Sequence, residues 1–188
     1  MRTRTFIASL AIGTVGLSGA FAALPAGADD GASTTETSGA PEPAAETTAC
    51  RFGHWPTEVE GRPASLEAGA AAGLYLWHTD HGWRAYVTHP GHEPVVFKIR
   101  IESSGRIYGV ERHMEGNDDV RVNHSRTVAG FRAVNWGYLD GMAFRTACAE
   151  HIVVTGTIDG QPLSTDQVFL GANGVHPTSV PFAVERQP

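Results

Sequence analysis

Residues 95–113, VVFKIRIESSGRIYGVERH, contain two β-like runs separated by the Ser- and Gly-rich residues 103–105. In the first run Phe97, Ile99 and Ile101 alternate with Lys98 and Arg100. Because successive side chains of a strand point to opposite faces, this period of two predicts a strand with its apolar set inward and its cations outward. Ser and Gly between such runs are typical of a turn.

The same pattern of short β-rich runs and turn residues recurs along the chain at intervals of about eight to twelve residues. Candidate turns lie at residues 115–118, 140–141 and 159–160, and the two glycines of residues 67–73 allow one helical turn at most. The sequence predicts an all-β protein, a single antiparallel β-sandwich or barrel-like domain with about 8–10 short strands. The candidate strands are residues 74–77, 83–89, 95–102, 106–113, 120–124, 128–134, 142–147, 151–158, 168–170 and 182–185.

The N-terminus has the organisation of a secretory signal peptide. Arg2 and Arg4 precede an apolar, uncharged run, and Ala26-Gly27-Ala28 has the small-x-small form of a signal peptidase site. Residues 1–28 are therefore predicted to be removed, leaving no transmembrane segment in a secreted, extracellular mature protein. The alternative is a membrane anchor, but glycines and Pro25 interrupt the run and no basic stop-transfer cluster follows.

Residues 29–49 carry five acidic side chains, no aromatic residue and no aliphatic residue larger than alanine. Such a segment cannot bury enough apolar surface to offset the entropy of ordering, so we expect a disordered acidic tether. The remaining residues 50–188 are enough for one domain. Of the 14 basic and 20 acidic residues of the chain, 12 and 15 fall in this domain. A mildly negative charge argues against nucleic acid as a partner.

The chain has two cysteines, Cys50 at the start of the domain and Cys148 well inside it. Two cysteines in an exported chain normally pair. A Cys50–Cys148 disulfide would close a loop of about a hundred residues and stabilise the fold by roughly 4 to 5 kcal/mol. A free nucleophilic thiol would need a reducing compartment, so a cysteine hydrolase is disfavoured.

Residues 77–83, WHTDHGW, place two tryptophans on either side of a polar loop. If residues 78–82 form the loop of a hairpin, Trp77 lies opposite Trp83 and Tyr75 lies opposite Ala85 on the same face. The tryptophan pair can then close one end of the core, or it can form an exposed platform for sugars or peptide side chains.

His78, Asp80 and His81 in this loop are suitable ligands for zinc or copper. Two histidines and a carboxylate at this spacing are weak evidence for a metal site, because nothing in the sequence aligns a further ligand from another strand. We therefore expect His78 and His81 to be solvated residues of a hairpin loop. Residues 115–119 and the turn residues Asp140 and Asp159 could bind calcium, but they lack the spacing of an EF-hand. Asx turns explain these carboxylates without a metal, so no cofactor is predicted.

Trp136 and Tyr138 flank Gly137 in a second aromatic segment, residues 135–141. Rigid rings on a loop bury area at low entropic cost, so this segment is a candidate recognition surface, although a role in plugging the core is equally compatible. For catalysis, no G-x-S-x-G nucleophile motif is present in the sequence. Triads and paired carboxylates can still form from distant residues.

Residues 75–90 (YLWHTDHGWRAYVTHP), 140–144 (DGMAF) and 181–186 (PFAVER) resemble a group of exported actinobacterial β-proteins of about this size. The resemblance spans residues 73–186. No activity is established for that group, so the resemblance implies a secreted single β-domain and no role for any residue.

The function most consistent with these features is that of a secreted, non-enzymatic β-sandwich that binds an extracellular ligand or a cell-surface partner. The candidate ligand-binding residues are Trp77, Trp83, Trp136 and Tyr138. The alternative is an extracellular metal-dependent or hydrolytic enzyme.

Overall fold

A computed structural model describes residues 53–114, 116 and 118–188 of the chain. All of these residues fall within one compact unit, Thr47–Pro188. The predicted signal peptide and tether, residues 1–49, lie outside the described residues, so both stay predictions. Within the described residues, no helix has the length and apolar character needed to cross a membrane.

The described residues form an all-β fold of two packed sheets that do not close into a barrel, which confirms the predicted fold class. Two short 3-10 helices, Thr57–Val59 and Thr165–Gln167, are the helical elements of this part of the chain. The strands are β1 (Gly73–Thr79), β2 (Gly82–Thr88), β3 (Val95–Ser103), β4 (Arg106–His113), β5 (Asp119–Val122), β6 (Val128–Asn135), β7 (Asp140–Ala147), β8 (His151–Ile158), β9 (Gln161–Pro162), β10 (Val168–Leu170) and β11 (Phe182–Glu185).

The first sheet has the strand order β10-β1-β2-β7-β4 and the second has the order β11-β8-β3-β6-β5, with β9 added to β8. All pairs are antiparallel except β1 and β10, which are parallel. Three connections, β1–β2, β5–β6 and β8–β9, are hairpins between adjacent strands. The others cross from one sheet to the other, so the chain ties the two layers together repeatedly.

The main core lies between the two sheets and contains the apolar side chains that alternate with polar ones along the strands. Phe97, Ile99 and Ile101 of β3 are buried there, and Lys98 and Arg100 are exposed on the opposite face, as predicted. Ile152 and Val154 of β8 contribute from the neighbouring strand. Burial of these side chains, each contributing roughly 1.5–3 kcal/mol by removal from water, is what holds the layers together.

A second apolar cluster covers the outer face of the first sheet. Tyr75 and Trp77 of β1 point away from the main core and pack with Leu66 from the segment that precedes β1. The Tyr75 ring stacks on Phe169 of β10 with centroids 4.5 Å apart. Residues 61–72 therefore act as a lead-in loop, and β1 is buried on both faces.

One turn prediction differs from the structure. Asp140 and Gly141 begin strand β7 rather than forming a turn, because their backbone pairs with Val87 and Tyr86 of β2. The predicted turns at residues 103–105 and 115–118 lie between strands of different sheets, so they do not close hairpins. The turn at residues 159–160 does close a hairpin, and Asp159 and Gly160 have the positive φ angles of a type I′ turn.

Candidate functional site

The β1–β2 hairpin has a tighter turn than the sequence suggested. Thr79 pairs with Gly82, so the connecting loop consists of Asp80 and His81 alone. This register places His78 opposite Trp83 and Trp77 opposite Arg84. The predicted pairings of Trp77 with Trp83 and of Tyr75 with Ala85 are therefore wrong by one position, and a shift of one position puts the two indoles on opposite faces of the sheet.

Both tryptophans of this hairpin are buried. Trp83 is 1% exposed and lies in the main core, where it packs edge-to-face on Trp55 with ring centroids 4.8 Å apart. Trp77 is 6% exposed and stacks on Tyr86 in the outer cluster, with centroids 5.3 Å apart. The two rings do not form an exposed platform, because each is covered by its own apolar cluster.

His78 is half-buried and faces inward. Its ring meets the Trp83 indole in an edge-to-face contact with centroids 5.0 Å apart. The pKa of His78 is lowered to about 4, first by burial and then by the positive charge of Arg186, with a smaller opposing effect of Asp80. The expectation that both loop histidines are solvated is therefore wrong for His78, although His81 in the turn is exposed.

The structure does not assemble the metal ligands that the sequence suggested. His78 packs inward, whereas Asp80 and His81 lie exposed in the turn. Within residues 53–114, 116 and 118–188, no group of three or more His, Cys, Asp or Glu side chains is placed to hold a metal ion.

Two of the candidate calcium ligands accept hydrogen bonds from the protein backbone. Asp118 accepts a hydrogen bond from the Val134 backbone N–H, and Asp159 accepts one from the Val96 N–H, both at 2.8 Å. Glu115 and Asn117 lie outside the described residues.

The aromatic segment after β6 has the exposed rings of a binding surface. Trp136 is 49% exposed and Tyr138 is 60% exposed. Among the described residues, the other large hydrophobic side chains with comparable exposure are Tyr108 and Val175. We refer to residues 136–138 as the aromatic loop.

Asn135, fully buried at the end of β6, holds the aromatic loop through its side chain. Its Nδ2 donates to the Tyr138 carbonyl oxygen at 2.9 Å and to the carboxylate of Asp140. Its Oδ1 accepts from the Gly137 N–H at 3.0 Å. The Asn135 side-chain amide therefore hydrogen-bonds to the loop backbone at two residues. A buried network whose donors and acceptor are all hydrogen-bonded is rigid.

His89, buried at the end of β2, fixes the same loop from the other side. Its Nδ1 accepts from the Gly91 N–H at 3.1 Å, so Nε2 carries the proton that it donates to the Asn135 carbonyl oxygen at 3.0 Å. Since both ring nitrogens are engaged with backbone groups, this ring links two segments rather than presenting a base or a metal ligand. Gly137, with φ 88°, packs so closely that a Cβ there would lie 2.6 Å from the Gly91 carbonyl oxygen.

The arrangement is thus a pair of exposed rings on a loop held by a buried polar cluster of His89, Asn135 and Asp140. Leu139 adds an apolar anchor, since it packs against the outer cluster that contains Trp77. Pre-organisation of this kind lowers the entropic cost of binding. The sequence identified Trp136 and Tyr138, but it did not identify the buried cluster, because His89 lies 46 residues before Asn135 along the chain.

Cys148 lies in the crossing between β7 and β8, with a positive φ of 53°. Cys50 lies outside the described residues, so the disulfide stays a prediction.

The fold and this loop define the protein as a two-layer β-sandwich with a loop-borne aromatic surface. Comparison of the chain with protein-family models, with curated proteins and with solved structures found no match in any of the three.

Proposed function

We propose that the protein is an exported, non-enzymatic β-sandwich that binds an extracellular or cell-surface glycan through Trp136 and Tyr138. The observation that carries the proposal is the display of two exposed rings on a loop whose backbone is fixed by the buried Asn135 side chain. The C–H groups on one face of a sugar ring pack on the electron-rich face of an indole or phenol.

The rigidity of the aromatic loop supports the interpretation that its exposed rings form a binding surface. An unsupported loop would lose conformational entropy when a ligand orders it, at about 0.5–1.5 kcal/mol for each immobilised side chain. Here Asn135, His89 and Gly137 hold the backbone before any ligand arrives. The signal peptide predicted from the sequence supports export, and an exported protein would meet surface glycans.

Tryptophan fluorescence tests the proposal directly. The structure describes all four tryptophans of the chain, and three of them, Trp55, Trp77 and Trp83, are buried. Quenching of fluorescence by acrylamide therefore reports mainly on Trp136. The protein would be titrated with neutral soluble polysaccharides: β-glucan, xylan, mannan and galactan. We expect at least one of them to protect Trp136 from quenching and to bind at least tenfold more weakly to Trp136→Ala or Tyr138→Ala.

The matched control is Tyr108→Ala, because Tyr108 is an exposed ring on β4 and lies outside the aromatic loop. Its substitution should leave binding unchanged. Binding to none of the four polysaccharides, or equal binding by the Trp136→Ala/Tyr138→Ala double variant, would refute the proposal. Turnover in a hydrolase substrate panel that a single His or acidic substitution abolishes would instead establish the enzymatic alternative.

A further inference from the structure

The outer face of the second sheet carries a groove with a concentration of positive charge. The groove has a volume of about 540 Å³ and runs over strands β3, β6 and β5. Four cations line this groove: Lys98, Arg100, Arg121 and Arg132. We refer to these four residues, together with Gly130 between them, as the basic groove. The domain as a whole has an excess of acidic residues, so this concentration is local.

The strand register places these cations in two rows across the sheet. In one row Arg132 of β6 lies between Lys98 of β3 and Asp119 of β5. In the next row Gly130 of β6 lies between Arg100 of β3 and Arg121 of β5. The rows are two residues apart along the strands, a distance of roughly 7 Å.

The facing of Lys98 and Arg132 brings two like charges together, and with Asp119 on the other side of Arg132 the row keeps a net positive charge. Like charges directly opposite each other in an antiparallel pair destabilise a sheet. Neither side chain makes an ion pair among the described residues, and both are exposed. A local arrangement that costs stability is expected where a binding site requires it.

Arg100 and Arg121 are oriented by carboxylates on their own strands. Arg100 Nε donates to Glu102 at 2.9 Å, and Arg121 Nε donates to Asp119. Both pairs use Nε, so the terminal Nη groups can donate to an acceptor in the groove. Gly130 keeps the floor between them free of a side chain, and a Cβ there would lie 2.4 Å from the Ile99 carbonyl oxygen.

We propose that the basic groove binds an acidic polysaccharide, a linear glycan whose repeating units carry carboxylate or sulfate groups. The two rows of cations take successive anionic groups of the chain. Glu102 and Asp119 lie beside the cations and accept hydrogen bonds from sugar hydroxyls, and the Thr155 hydroxyl lies opposite Arg100 on the β8 side. This site is independent of the aromatic loop.

The composition of the groove favours a glycan over nucleic acid. Single-stranded nucleic acid binds through stacking of its bases on aromatic rings along a basic track. The exposed rings among the described residues, Tyr108, Trp136 and Tyr138, do not line the groove.

Affinity measurements with defined polymers test this assignment. The exported protein would be titrated with polygalacturonate, dextran sulfate, neutral dextran, polyphosphate and single-stranded DNA. We expect binding to polygalacturonate or dextran sulfate, none to neutral dextran, and weakening as ionic strength rises from about 0.1 M to about 1 M, where screening becomes strong. Lys98→Ala/Arg132→Ala should lose at least tenfold in affinity for the acidic glycan.

The matched control is Arg106→Ala, which removes an exposed arginine from β4 in the other sheet. It should leave the affinity unchanged, and an equal loss would overturn the proposal by showing that overall charge alone is responsible. Binding of polyphosphate or single-stranded DNA as tight as that of both acidic glycans would also overturn it. Trp136→Ala should bind the acidic glycan like the unaltered protein, so failure here is distinguishable from failure of the aromatic-loop proposal.

Discussion

His78 and Trp83 face each other directly across the β1–β2 hairpin, with their rings in edge-to-face contact at a centroid distance of 5.0 Å. This pairing turns the imidazole toward the core, so its behaviour is set by burial rather than by solvent. Arg186 adds a nearby positive charge, and its guanidinium lies 4.6 Å from the centre of the Trp55 ring. The neutral form of His78 is therefore the form that the fold accommodates.

The stability of the fold should fall between pH 6.5 and about pH 4 because of His78. The pKa of His78 is about 4 in the folded protein, against an ordinary value of 6.5. Within that window the unfolded chain takes up a proton that the folded protein does not, so acid favours unfolding. Urea denaturation at pH 7 and pH 5 should show a smaller pH-dependent loss for His78→Phe than for the unaltered chain.

His81→Gln is the control for this measurement, since His81 lies exposed in the same turn. If His78→Phe retains the full pH dependence, or His81→Gln removes it, the assignment to His78 is incorrect.

Trp83→Ala should destabilise the protein by about 3–5 kcal/mol, the usual cost of truncating a buried aromatic side chain. The indole is surrounded by Trp55 and Phe144, so its removal leaves a cavity. Trp83→Phe should cost less, because Nε1 of Trp83 makes no hydrogen bond with the described residues. Chemical denaturation monitored by circular dichroism measures both values. Trp136→Ala, on the exposed loop, should change stability by no more than about 0.5 kcal/mol.

Gly137→Ala should be more destabilising than Gly160→Ala. Both glycines have positive φ angles, 88° and 83°, so both substitutions carry the backbone penalty of about 1–2 kcal/mol. A Cβ at residue 160 meets nothing within 4 Å, whereas one at residue 137 would meet the Gly91 carbonyl oxygen at 2.6 Å. The difference in unfolding free energy isolates that close contact, and equal costs would show that the aromatic loop is not packed against Gly91.

We expect Cys50 and Cys148 to form a disulfide. Arg186 joins the two regions involved, because its Nη1 donates to the Gly53 carbonyl oxygen at 2.6 Å and its backbone N–H donates to the Glu150 carbonyl oxygen at 2.8 Å. Mass spectrometry after alkylation without reduction should find no labelled thiol. Reduction should lower the unfolding free energy by about 4–5 kcal/mol in the chain-entropy model. Labelling of both cysteines before reduction would show that they do not pair.

The strands could be predicted from the sequence wherever one face is buried and the other is solvated. β3 is the clearest case, because Phe97, Ile99 and Ile101 alternate with exposed cations. β1 reads LYLW between its glycine and His78, with no polar alternation, because residues 61–72 cover its second face. The sequence of such a strand does not show which side chains lie on which face, so it does not indicate the register with the neighbouring strand. A two-residue turn and a five-residue loop then fit the sequence equally.

The candidate site was predictable only in its exposed part. Trp136 and Tyr138 stand out by residue type, whereas Asn135 and His89 are ordinary polar residues until the fold brings them together. Asp140 illustrates the limit: its local sequence, Asp-Gly, favours a turn, yet pairing with β2 draws it into a strand and its carboxylate into the buried cluster. Tertiary contacts override a local preference there.

The parallel pairing of β1 with β10 has a consequence for the order in which the molecule assembles. Leu74 of β1 pairs with Val168 of β10. The first sheet therefore lacks this edge strand until nearly the whole chain has been synthesised. Contacts between such distant parts of a chain form slowly, because a long loop must close before they contribute stability. A chain emerging from the ribosome cannot complete this sheet early.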